Sequence, residues 1–349
     1  MRIVIASTTV PTIDGGGRLI VRWTADALRE AGHQVEELYL PFPTDLRLIM
    51  PALVGLRAIP LGDEVDRLVT IRWPAHVMQH PNKVAWFIHH YRQLFDLWDT
   101  EYRGIRADAE GVSYREALRM ADNLGLGESR KVFTNSDTVR ARVRKFNEID
   151  AETLFPPLGG DVSRFYTDSY GDFVLYASRI TPIKRQMLAV EAMQYVTTPV
   201  RLVLAGHADP EQYGREMRAT VRAHGLDERV DLRLGWLPEA EKIDLLARCL
   251  AVAYLPIDED SYGYPALEAS HSAKAIVTLK DAGGALEFVR DGVEGFVTEP
   301  DPRSLAAAFD AAYSDKKDAQ RMGEASARRR AELNIDWEHV VSRLTGAGS

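Results

Sequence analysis

The sequence predicts an α/β protein built of two doubly wound, mostly parallel domains. Three observations predict it. Short β-rich runs alternate with runs of helical period along almost all of the 349 residues, a pattern that gives parallel sheets with helices on both faces. A stretch rich in Pro and Gly, LFPPLGGD at 154–161, breaks the alternation once, and the pattern then restarts. At roughly 100–200 residues per domain, the length suits two domains, each with a core of its own.

Taken in order, RIVIAS at 2–7 reads as a buried strand. A glycine-rich loop follows, Asp14-Gly15-Gly16-Gly17. The run LIVRWTADALREAG then has apolar residues at helical spacing and ends on Gly32 as a C-cap. HQVEELYL at 33–40 is the next strand, and 67–71 and 83–88 are further ones. Strand 131–134 leads into a helix capped by Ser136. Beyond the break, strands are expected at 173–177, 201–205, 230–234, 251–255 and 275–279, with helical runs between them. This divides the chain into a first domain over 1–160, a second over 161–330, and a C-terminal segment, 331–349, carrying Trp337 and a helical VVSRL. Two such domains facing each other would leave an interdomain cleft at the carboxyl ends of their sheets, where ligands of such sheets bind.

Composition narrows the function. The 51 acidic and 43 basic side chains give a net charge of -8, which argues against a nucleic-acid partner. One cysteine, Cys249, excludes an internal disulfide and a thiolate zinc site. No apolar run reaches the 18 or more residues of a membrane span, and MRIVIASTTV does not read as a secretory signal. A cytoplasmic protein is expected. The basic run Arg140, Arg142, Arg144 and Lys145 on a predicted helix is a candidate for peripheral contact with a membrane surface or an anionic acceptor; a solvated helix face is the plainer reading.

Four segments could carry chemistry. The glycine loop at 15–17 lets a ligand approach the amides of a helix start, which favour anions. Its spacing is not the dinucleotide fingerprint, which disfavours a nicotinamide dehydrogenase. After strand FVLYA, the loop Ser178-Arg179-Ile180-Thr181-Pro182-Ile183-Lys184-Arg185 sets two or three cations beside a helix start. Arg would hold a diphosphate through a forked pair of donors and Lys as a compact point charge. The acidic loop Asp258-Glu259-Asp260-Ser261-Tyr262-Gly263-Tyr264 opens into a helix bearing Glu268, and carboxylates accept hydrogen bonds from sugar or ribose hydroxyls. Asp258 and Asp260 also form a D-x-D pair, with no second acidic or His cluster to complete a metal site. Finally, His89 and His90 follow a strand, so that one of them could reach a ligand.

The order of these pieces resembles the retaining nucleotide-sugar glycosyltransferases of glycosyltransferase family 4. The resemblance runs from residue 1 to about 340. It rests on Gly15-Gly16, Gly32-His33-Gln34-Val35, Pro156-Pro157, Arg179 with Lys184, LVLAG ending at Gly206, the Val230–Gly235 strand, the acidic pair ending at Glu268, and Asp281-Ala282-Gly283-Gly284-Ala285-Leu286-Glu287-Phe288-Val289. It implies the GT-B fold, with two facing Rossmann-like domains and a last helix that crosses back to the first. It implies transfer of a hexosyl group from a nucleoside-diphosphate sugar to an acceptor hydroxyl, with retention and without metal or other cofactor. The acceptor would be a sugar, a lipid-linked molecule or a small molecule.

By position, the resemblance makes Arg179 and Lys184 the diphosphate ligands and gives His89 or His90 the transferred sugar. Gly15, Gly16 and Gly17 would approach the donor phosphate and acceptor. Gly206, Trp236 and Leu237 would hold the nucleobase, and Glu268 the ribose, with Tyr262, Gly263 and Tyr264 lining the same site. The family usually has Glu at the first acidic position, where counting back from Glu268 puts Asp260; some members read D-E-D-Y-G-Y where this chain reads D-E-D-S-Y-G-Y, so Ser261 resembles a one-residue insertion. Either Asp260 or Glu259 then fills the first acidic position. Two other readings fit the same fold: a nucleotide-sugar epimerase or hydrolase, and a catalytically weak nucleotide-sugar-binding protein.

Overall fold

The computed structural model describes residues 1–9, 16–43 and 45–346. Two compact units divide the chain: Met1–Gly160 together with Ile335–Ser349, and Asp161–Asn334.

The first unit is wound around six parallel strands: β1 (Arg2–Thr9), β2 (Gln34–Pro41), β3 (Arg67–Ile71), β4 (Lys83–Phe87), β5 (Lys131–Thr134) and the two-residue β6 (Glu152–Thr153). Their lateral order is β2-β1-β3-β4-β5-β6. Strand β1 shows why a short apolar run becomes a central strand. Ile3 and Ile5 bury into the core on one face while Val4 and Ala6 bury on the other, as the two-residue period of a strand requires. Helix α1 (Gly16–Glu30) covers the first face with Ile20, Val21, Ala25 and Leu28. It stops where Gly32 takes φ +86°. Helices α2 (Leu46–Arg57), α3 (Ala109–Gly127) and α4 (Asp137–Asn147) cover the other face with Ile49, Leu53, Leu118, Leu126, Val139 and Val143. The Ser136 side chain accepts from the Val139 amide at 2.9 Å and caps α4.

The second unit has β7 (Phe173–Ala177), β8 (Arg201–Gly206), β9 (Val230–Leu234), β10 (Ala251–Ala253), β11 (Ala275–Leu279) and β12 (Gly295–Thr298), all parallel, in the order β12-β11-β10-β7-β8-β9. Its helices are α5 (Gln186–Ala192), α6 (Glu211–Ala223), α7 (Glu239–Arg248), α8 (Tyr264–His271), α9 (Ala285–Phe288), α10 (Pro302–Ser314) and α11 (Lys316–Glu332). One core joins the sheet to Val190, Met217, Val221, Leu305, Phe309 and Met322.

The last helix, α12 (Trp337–Thr345), belongs to the first unit. Val340 and Leu344 are fully buried beside Ile3, Ile5 and Trp86. The Trp337 indole donates to the Leu158 carbonyl at 2.8 Å, and Arg67 donates to the Leu344 carbonyl at 2.6 Å.

Several expectations shift in detail. Strand β4 ends one residue early and β10 two residues early, because the chain turns into site loops there. Strand β12 and helix α2 were not anticipated, the latter because Pro51 lies inside it and reads as a helix breaker. The basic run is not a continuous outward stripe. Arg142 turns inward and lies 3.6 Å from Asp96, Arg140 pairs with Asp137, and Arg144 pairs with Asp150 at 2.6 Å.

Candidate functional site

In an open parallel sheet, a ligand crevice forms at the carboxyl ends of the two neighbouring strands where the winding direction reverses. In the second unit those strands are β7 and β10: the chain runs β7-β8-β9 outward on one side, then returns to β10 and continues to β12 on the other. The cationic and the acidic loops leave these two strands.

The loop after β7 is held firmly. The buried Gln186 side chain accepts from the Thr181 amide at 3.2 Å and donates to the Ser178 hydroxyl and the Arg179 carbonyl, both at 3.0 Å. A 3-10 turn, Pro182–Lys184, follows. Lys184 ends on two partners. Its ammonium donates to the Tyr254 hydroxyl at 2.7 Å and forms an ion pair with the Glu259 carboxylate. Arg179 is 62% exposed and only loosely associated with Asp209, at 3.7 Å. Arg185, the third cation, is structural. At φ +54° it donates to the carbonyls of Leu255 and Pro256 and grips Asp281 with two bonds of 2.7 and 2.8 Å.

The loop after β10 lies along the loop after β11. The Glu259 amide donates to the Ala282 carbonyl at 3.1 Å, and the Gly284 amide donates to the Glu259 carbonyl at 2.8 Å. Gly283, at φ +63°, leaves no space for a Cβ, which would stand 2.5 Å from the Glu259 amide. The glycines of the D-A-G-G motif therefore seat the acidic loop. Of the two carboxylates left open by the sequence, Glu259 is the one that meets Lys184; Asp260 is half-buried beside it.

Glu268 projects from α8, and its Oε1 lies 2.6 Å from the Lys242 ammonium of α7. Burial raises its carboxyl above the usual range, and the Lys242 cation pulls the other way. Gly206 ends β8, and its carbonyl accepts from the Gly235 amide at 2.9 Å. Trp236, next in the chain, is 89% exposed, and Leu237 is half-buried. Gly263 and Tyr264 form the N-terminal start of α8. Tyr262 corrects the expectation: its ring is buried, 1% exposed, and packs against Phe288 at 5.7 Å between centroids, so it is core rather than ligand-facing.

In the first unit, Gly15 lies outside the described residues, while Gly16 and Gly17 form the first residues of α1. His89 is half-buried, its Nδ1 2.7 Å from the His90 carbonyl. His90 is not placed to contact a ligand. It is 1% exposed, bonded to Asn147 at 2.7 Å and enclosed by Phe87, Phe95 and Phe146. Burial lowers its imidazole to about 4, so that it is neutral at pH 7.

Sequence reasoning missed Tyr254 and Lys242. Tyr254 reads as one more strand aromatic, and Lys242 as a surface residue of an acidic helix start. Arg72 was also missed. It follows β3 at the corresponding reversal in the first sheet, between β1 and β3, with φ +69°, and it donates to the Thr8 carbonyl at 3.3 Å. Among the described residues, no group of three or more His, Cys, Asp or Glu side chains is arranged to hold a metal ion, and no helix is long and apolar enough to cross a membrane.

This fold and rim site define a protein of two parallel-sheet, Rossmann-like units that matches GT-B glycosyltransferase structures. Sucrose-phosphate synthase of Thermosynechococcus elongatus superposes with a TM-score of 0.76 at 18% identity, covering 99% of this chain and 98% of that one. HepE of Anabaena, crystallised with UDP, superposes with a TM-score of 0.75 at 18% identity, covering 99% of both chains. Residues 167–329, all within the second unit, match the family described as glycosyl transferases group 1. Over 207 residues the chain is 26% identical to the D-inositol 3-phosphate glycosyltransferase of Xylanimonas cellulosilytica, a stretch covering 56% of this chain and 48% of that relative. The match thus spans about half the length of that curated relative.

Proposed function

We propose that the protein is a retaining, metal-independent glycosyltransferase of the family 4 kind, moving a hexosyl group from a nucleoside-diphosphate sugar to an acceptor hydroxyl in the cytoplasm. The observation that carries this reading is the Lys184 ammonium at the β7/β10 reversal of the unit that matches glycosyl transferases group 1. The UDP held by HepE, a protein of the same fold, supports a nucleotide donor. The acceptor named for the Xylanimonas relative supports a small hydroxyl compound, although a sugar or a lipid-linked molecule meets the same chemical requirement.

The chemistry follows from where charge appears. As the bond between the anomeric carbon and the diphosphate oxygen breaks, the electron pair stays with the diphosphate. Lys184 and Arg179 meet that developing charge, and preorganised cations are most effective there. They supply the charge that a bound metal supplies in other enzymes. The acceptor oxygen bonds to the anomeric carbon on the face the diphosphate leaves, and its proton passes to a diphosphate oxygen. Glu268 receives the ribose hydroxyls, and Glu259 stands beside the transferred sugar.

A thermal-shift panel of UDP-, GDP-, ADP- and dTDP-sugars identifies the donor, and transfer is then followed by the NMR signal of the product's anomeric proton. Retention is expected, and inversion overturns the mechanism. Lys184→Ala is expected to lose about 100- to 1,000-fold in turnover while the protein stays folded. Turnover close to that of the unaltered protein would reject the assignment.

A further inference from the structure

We propose that Tyr254 is the positioning residue of the diphosphate site: its hydroxyl fixes the Lys184 ammonium where the terminal phosphate of a nucleoside diphosphate is received. This rests on the reading in which Lys184 binds the diphosphate.

Tyr254 directly follows β10 and is 2% exposed. Its own backbone is pinned on both sides. The amide donates to the Val277 carbonyl at 2.9 Å, and its carbonyl accepts from the Thr278 hydroxyl at 2.7 Å. The phenol therefore projects from a fixed point of the rim. Its oxygen accepts from Lys184 at 2.7 Å and donates to Glu259 at 3.0 Å, and the Lys184 nitrogen stands 4.9 Å from the ring centroid.

The chemistry of this partner matters. Lysine sits on a flexible four-carbon stem, and fixing such a side chain costs rotamer entropy. A partner that fixes it before the ligand arrives lowers that part of the binding penalty. The Glu259 carboxylate also holds the ammonium, but it offsets part of the charge. The Tyr254 hydroxyl adds a restraint from a fixed point of the rim without offsetting it further, and burial together with Glu259 holds this phenol well above its ordinary range, so it stays protonated. An ammonium has three N–H donors; Tyr254 and Glu259 take two, which leaves one for a phosphate oxygen.

A separate feature supports the same assignment. Gly263 of the acidic loop has φ +75°, and a Cβ there would stand 2.5 Å from the Tyr254 hydroxyl oxygen and 2.3 Å from a ring carbon. The absence of a side chain at 263 is what gives the phenol its seat.

The test uses the whole protein and calorimetric binding of three pairs: UDP with UMP, GDP with GMP, and ADP with AMP. The best-binding pair gives the diphosphate preference, the ratio of the two dissociation constants. Tyr254→Phe keeps the ring and removes only the hydroxyl. The expected result is a fall of about tenfold in that preference, the scale of one hydrogen bond to a charged group, with monophosphate affinity unchanged. In a Lys184→Ala background, Tyr254→Phe should have no further effect. Gly263→Ala, which displaces the phenol without altering it, should lower the same ratio and serves if Tyr254→Phe folds poorly. An unchanged preference, or equal losses for both nucleotides, would overturn the proposal. If the unaltered protein binds no nucleotide, or binds mono- and diphosphate equally, the role of Lys184 itself fails first.

Discussion

At position 90 an imidazole sits among three aromatic rings with Asn147 as its partner. Burial lowers its folded pKa to about 4, against an ordinary value of 6.5. The sign follows. Between pH 6.5 and 4 the unfolded chain takes up a proton that the folded chain refuses, so this residue's stabilisation is complete above pH 6.5 and is lost as the pH falls toward 4. At 1.36 kcal/mol per pKa unit, the loss amounts to about 3 kcal/mol. His90→Gln keeps a donor for Asn147 and removes the titration. Urea denaturation at pH 7, 5 and 4 should show a shallower decline for the variant; identical slopes would refute the assignment. The pair His89-His90 illustrates what single residues disclose in sequence. Both follow a strand, so both were candidates, and the side chains that bury one of them, Phe95 and Phe146, come from segments that local pattern does not connect to it. Lys184 and Glu259 were legible as charged loop residues after strands. Their meeting was not, because it depends on β7 and β10 being neighbours.

Among the elements, α12 is the clearest case of a helix whose place is fixed by its buried face. Leu344 is fully buried in the first unit's core, and the Leu344 carbonyl accepts from Arg67 at 2.6 Å. Leu344→Ala should destabilise that unit by about 3 kcal/mol, within the usual span for large-to-small core changes, seen as a lower urea midpoint for the transition reporting on Trp86. A change below 0.5 kcal/mol would contradict the packing. Strong periodicity made α1, α4 and most strands readable. The segment forming α2 was not, because Pro51 masks its period. The helix tolerates Pro51 since Ile49, Leu53 and Leu56 still bury on one side. The glycines at 283 and 284 were readable as a motif, but their reason, the close approach of two loop backbones, is a tertiary fact.

For the molecule as a whole, the two sheets share a parallel design but not an order. Counted within its own unit, the second reads 3-2-1-4-5-6, the dinucleotide-binding arrangement, and the first reads 2-1-3-4-5-6, with its reversal between the first and third strands. The alternation and the single Pro/Gly break foretold two units; lateral order escaped, since it is settled by long-range pairing. Because each unit has its own core, two unfolding transitions are expected. A nucleoside diphosphate at 100 times its dissociation constant should raise the transition of residues 161–334 by about 2.7 kcal/mol, which hydrogen exchange resolves unit by unit. Protection gained only in the first unit would place the nucleotide elsewhere.

The inclusion of α12 in the first unit has a consequence for biosynthesis. As the nascent chain leaves the ribosome, the sheet face bearing Ile3, Ile5 and Trp86 must wait for Val340 and Leu344 before it is covered. The intervening 174 residues of the second body, Asp161–Asn334, can meanwhile complete their own core. The unit that opens this sequence is thus completed after the one that follows it, and its half-covered sheet is the surface a chaperone would meet.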